Sequence, residues 1–86
     1  MTKKPRILVV DDEPDIRELI AGVLEDDGHG VRTAATAEKA IEEVRRRTPS
    51  LVVLDVWLQG SDMDGLSVLK YLKAIDPLLP VIVISG

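Results

Sequence analysis

Three runs in the chain are continuously apolar and mostly β-branched: Ile7-Leu8-Val9-Val10, Leu51-Val52-Val53-Leu54 and Val81-Ile82-Val83-Ile84. Strands covered on both faces have this composition, so the runs predict a parallel sheet. Between the first two, Ile16, Leu19, Ile20, Val23 and Leu24 recur at i, i+3, i+4, i+7 and i+8 and predict one apolar face of a helix. Pro14 suits the first turn, and Asp12, Glu13 and Asp15 complement the positive end of the helix dipole. Gly28 can take the left-handed conformation that ends the helix, near Asp27. A short strand follows around Val31 to Ala34. Thr36 can then cap a second helix with Ala37, Ala40, Ile41 and Val44 inward, closing at Arg45-Arg46-Arg47 before Pro49. A third helix carries Leu66, Leu69 and Leu72 and stops before Pro77. Strand, helix, strand, helix, strand, helix, strand, joined by right-handed crossovers, is a three-layer α/β sandwich with helices on both faces of a parallel sheet.

Composition narrows the class. The chain has 86 residues, 45% of them hydrophobic, enough for the core of one domain and against intrinsic disorder. With no cysteine there is no disulfide framework, thiolate nucleophile or cysteine-containing zinc site, in keeping with a reducing cytoplasm. Eleven basic against fifteen acidic residues give a net charge of −4, and one Trp, one Tyr and no Phe leave little for stacking on bases. Direct nucleic-acid contact by this segment is therefore not expected. The N-terminal apolar run is too short for a secretory signal, and Leu78 to Ile84, broken by Pro80, is too short to span a bilayer. No membrane segment is expected.

The acids fall where chemistry collects. In a parallel α/β sheet the C-terminal ends of the strands share one edge, and ligands bind there. Asp11 and Asp12 follow the first run, Asp55 the third strand, and Ser85 the fourth. These side chains should converge. Clustered carboxylates repel one another, and a hard divalent cation bound through oxygens relieves the repulsion; Mg²⁺, which keeps several waters and takes phosphate oxygens, is the natural candidate. A carboxylate can act as nucleophile towards phosphorus, with the metal neutralising charge, and the Ser85 hydroxyl could donate to a phosphoryl oxygen. The irregular connection from Asp55 to Gly65 is of a length usually kept for function.

Blander readings exist for single residues. Asp12, Glu13 and Asp15 could serve only the helix dipole, and Ser85 could be a chain-end residue without a role. His29, between two glycines, reads as a solvated turn residue, and Arg45 to Arg47 as a solvated helix end rather than a nucleic-acid patch. Trp57 reads as a loop side chain that acts only through its backbone.

Taken together, Ile7 to Pro14 with Asp11-Asp12, Leu51 to Asp55, the Asp64-Gly65 pair and Val81 to Gly86 resemble the receiver domain of bacterial two-component response regulators. The resemblance spans essentially the whole chain. It implies a flavodoxin-like (CheY-like) sheet of order 2-1-3-4, a phosphoacceptor at Asp55, Mg²⁺ on Asp11, Asp12, Asp55 and the backbone carbonyl of Trp57, and a phosphoryl-contacting hydroxyl at Ser85. It also implies a sensor histidine kinase as partner and a switch rather than an enzyme. The loop from Asp55 to Asp64 encloses eight residues where receivers commonly have six. Its Trp57-Leu58-Gln59-Gly60-Ser61 wording resembles nitrogen-regulation regulators of the NtrX type, in which an AAA+ ATPase domain and a DNA-binding domain follow the receiver. Relative to a whole receiver, residues 1–86 are expected to be an N-terminal fragment without the final helix, strand and helix. The family's lysine and aromatic switch residue on the fifth strand have no counterpart in Lys3, Lys4, Lys70 or Lys73. The fourth strand would then be an open edge prone to self-association.

Two other classes compete. A degenerate receiver could act as a dimerisation or binding module. An aspartate-nucleophile phosphatase resembling the haloacid dehalogenases would need a nucleophile-x-Asp pair after the first strand, which Asp11-Asp12-Glu13 does not supply.

Overall fold

The computed structural model describes residues 5–58 and 64–84. Its elements run β1 (Arg6–Val10), α1 (Pro14–Asp26), β2 (Gly30–Ala34), α2 (Ala37–Arg46), β3 (Leu51–Asp55), α3 (Gly65–Ile75) and β4 (Val81–Ile84). All strand pairs are parallel, in the order β2-β1-β3-β4. The first apolar run therefore occupies the sheet interior, with Leu8, Val9 and Val10 fully buried. Among the described residues β4 pairs with β3 alone, and Ile82 is 52% exposed.

Helix ends follow local chemistry. Pro14 opens α1, where its missing N–H is no loss. Gly28, at φ +91°, turns the chain into β2 in a conformation that costs a side-chain-bearing residue energy. Thr36 Oγ1 accepts from the Lys39 N–H at 3.1 Å and caps α2.

Alternation along the strands sorts side chains to two faces. Leu8, Val10, Val52 and Leu54 pack with Ala37, Ala40 and Val44 of α2 and Val68 and Leu72 of α3. On the other face Ile7, Val9 and Val53 meet Ile20 and Leu24 of α1. Three expectations need correction here. The five-residue face of α1 is only partly inward: Ile20 and Leu24 pack, while Ile16, Leu19 and Val23 are exposed, because α1 lies over β1 and β2 and no other described helix covers its flank. In α3 the inner line is Val68 and Leu72 with Leu69 partly buried, and Leu66 points outward. Glu43 of α2, on which the sequence carries no expectation, is buried, and Arg32 Nη1 pairs with its Oε1 at 3.1 Å. His29, expected to be a solvated turn residue, is partly buried: its Nε2 lies 3.3 Å from Asp27 Oδ2. Among the described residues, no helix is long and apolar enough to cross a membrane.

Candidate functional site

Strands β1 and β3 are neighbours with Val10 beside Leu54, so the residues that follow are brought together at one edge of the sheet. One carboxylate oxygen from each of Asp11, Asp12 and Asp55 lies within 4.8 Å of the others. Asp11 and Asp55 are 3% and 7% exposed, and Asp12 is half-buried.

Backbone bonds hold these groups in place. Asp11 Oδ1 accepts from the Glu13 N–H at 2.9 Å, and Asp55 Oδ1 accepts from the Trp57 N–H at 3.0 Å, the same two-residue turn at both strand ends. The Asp11 N–H donates to the Ala34 carbonyl at 3.1 Å, and Arg17 Nη1 donates to the Asp11 carbonyl at 2.9 Å. Burial pushes the Asp11 carboxyl above its ordinary pKa, and the charges of Asp55 and Asp12 push the same way; the Glu13 N–H and Arg17 oppose them. An all-oxygen donor set under mutual repulsion fits a hard divalent cation such as Mg²⁺ or Ca²⁺.

The connection out of β3 is built to a tight clearance. A Cβ on Gly65 would stand 2.6 Å from both Cα and O of Val56 and 2.7 Å from the Asp55 carbonyl oxygen, so only hydrogen fits where α3 begins. Asp64 caps that helix, its Oδ1 accepting from the Ser67 N–H at 2.8 Å, and this bond holds its carboxyl below the usual range. Leu58 is buried in the α2–α3 core, while Trp57 beside it is 64% exposed, as expected for its side chain.

Asp11, Asp12 and Asp55 thus come together as expected, and Trp57 adjoins Asp55 through its N–H. Ser85 lies outside the described residues. Sequence reasoning missed Arg17, whose place six residues after Asp11 carries no signal, and it noted Gly65 only as half of a motif, without the clearance that requires glycine.

A parallel sheet of this order with a buried acidic cluster at the carboxyl ends of its strands is a doubly wound α/β domain whose site lies where that class binds its ligands. Residues 7–86 match the response regulator receiver domain, and the chain belongs to that family. Among curated proteins it is similar to the nitrogen assimilation regulatory protein NtrX of Azorhizobium caulinodans, 54% identical over 80 residues covering 93% of this chain and 18% of that protein. Among solved structures it is similar to the receiver domain of NtrX from Brucella abortus, at 56% identity and a TM-score of 0.91, covering 93% of this chain and 67% of that one. A CheY-like receiver from Methanospirillum hungatei superposes with a TM-score of 0.92 at 30% identity, covering 98% of this chain and 66% of that one. The chain therefore spans under a fifth of the length of the curated NtrX relative and about two thirds of the receivers it matches.

Proposed function

We propose that the chain is the phosphoacceptor part of an NtrX-like transcriptional regulator, with Asp55 as the residue that receives the phosphoryl group. The observation that carries this reading is the convergence of three carboxylates within 4.8 Å at the ends of β1 and β3. In the reaction a carboxylate oxygen of Asp55 attacks phosphorus on a sensor kinase's phosphohistidine, the P–N bond breaks, and the electron pair leaves on the imidazole, which takes up a proton. The Trp57 N–H on Asp55 Oδ1 orients the nucleophile. Asp11, Asp12, Asp55 and the Trp57 carbonyl would hold Mg²⁺, which when bound supplies neutralising charge for the transferring group. Ser85 would donate its hydroxyl to a phosphoryl oxygen.

The remaining parts of the reading follow from this role. The chain acts in the cytoplasm as a switch that assists only its own phosphorylation and hydrolysis. It corresponds to the first two thirds of a receiver, and any DNA contact belongs to another domain of the regulator. Self-association through β4, which among the described residues pairs with β3 alone and carries partly exposed valines and isoleucines, belongs to the same reading.

Incubation with a small acyl phosphate and Mg²⁺ tests the assignment. One phosphoryl group per chain should be gained, labile to hydroxylamine, and lost in Asp55→Asn with the circular dichroism spectrum unchanged. Labelling that persists in Asp55→Asn refutes it. A clean monomer at high concentration in light scattering removes the self-association.

A further inference from the structure

The opposite edge of the sheet, where the strands begin, carries the reverse charge. A cleft of about 200 Å³ opens there between Arg6 of β1, Gly30, Val31 and Arg32 of β2, and Arg47 after α2. Arg6 and Arg32 share a sheet face with Leu8, which packs on α2, and Gly30, the register partner of Arg6, puts no side chain into the space between them.

The cleft's own negative groups are already occupied. Arg32 donates through Nη1 to the Glu43 carbonyl at 3.2 Å and to Glu43 Oε1 at 3.1 Å, and through Nη2 to the Arg47 carbonyl at 2.6 Å. It thereby covers carbonyls at the negative end of α2 and one buried carboxylate. The guanidinium groups of Arg6 and Arg47 form no ion pair with any described carboxylate. A concave site with two uncompensated guanidiniums on a fixed third one has the chemistry that binds tetrahedral oxyanions, because each fork can donate two parallel hydrogen bonds.

We propose that this cleft is an oxyanion site that takes a phosphate group, free or as a monoester, on Arg6 and Arg47, with Arg32 as the fixed wall. The site is independent of the acidic cluster and lies at the other end of the strands. Its volume admits a phosphate together with part of what it is attached to.

Amide NMR titration of the 86-residue chain with inorganic phosphate, and separately with phenyl phosphate, tests it at constant ionic strength without Mg²⁺. Saturable shifts centred on Gly30, Val31 and Arg32 are expected. Arg6→Ala with Arg47→Ala should weaken binding at least about tenfold. Gly30→Val should do the same with every charge in place, since a Cβ there meets only the Pro5 carbonyl, at 3.8 Å, and the larger side chain fills the cleft. Equal affinity for the two probes assigns recognition to the phosphate alone, and tighter phenyl phosphate binding assigns it to a monoester. Shifts that chloride reproduces at the same ionic strength, or that persist in both folded variants, overturn the site and leave general charge screening only.

Discussion

The two faces of the sheet are unequally finished. Among the described residues, twelve buried ones form one continuous core on the α2–α3 face, whereas on the α1 face the buried cluster is Ile7, Val9 and Val53 with partly covered neighbours. The strands supply alternating apolar side chains to both, so the difference lies in the helices: among the described residues two cover the first face and one covers the other. Burial thus depends on the neighbour as much as on the side chain. The exposed Ile16, Leu19 and Val23 are as apolar as Leu72, yet contribute little to the fold without a surface to meet.

Substitutions can break this contrast. The largest expected effect is Leu8→Ala, which empties a fully buried position against α2 and should cost about 2–5 kcal/mol in urea denaturation. Next is Gly65→Ala, whose methyl group collides with the Val56 and Asp55 backbone; about 1–3 kcal/mol should be lost, together with Mg²⁺-dependent phosphorylation, because the strand end that carries Asp55 must shift. Asp11→Asn should act in the other direction. The folded Asp11 carboxyl titrates above its unfolded value, so the stability it contributes is fully present below pH about 3.8 and is lost as pH rises through the folded pKa. The variant should match the parent in acid, exceed it at neutral pH without metal, and lose that advantage when Mg²⁺ is added, as urea midpoints across pH would report. Smallest is Leu19→Ser with Val23→Ser, which should move stability by less than about 0.5 kcal/mol each; a loss comparable to Leu8→Ala would mean that something covers the α1 flank.

Much of this was legible in the sequence. Continuous β-branched runs marked interior parallel strands, Thr36 and Gly28 marked helix ends, and Asp11, Asp12 and Asp55 were placed together because strand ends share an edge. Periodicity could not tell which half of the α1 stripe would be covered, since it records where apolar side chains lie and not what they meet. Leu66 and Val68 show the same limit: the outward leucine belonged to the expected triplet, and the buried valine one residue short of Leu69 did not. Glu43 escaped because a carboxylate is buried only when a partner is supplied, and Arg32 comes from a separate element. The clearance at Gly65 is set by two backbone segments ten residues apart and has no local signature beyond the glycine itself.

The central position of β1 also has a consequence for synthesis. Its apolar run precedes both of its sheet partners, β2 and β3, and Leu54 lies forty-four positions after Val10. At about 5–20 residues per second on the ribosome, the run waits roughly 2–9 s for its second neighbour. During that interval the nascent chain presents a strand-forming Ile-Leu-Val-Val segment flanked by Arg6 on one side and Asp11-Asp12 on the other. Charges in those positions act as gatekeepers against aggregation, so the pair of acids at the site also protects the newborn chain until the sheet can close around it.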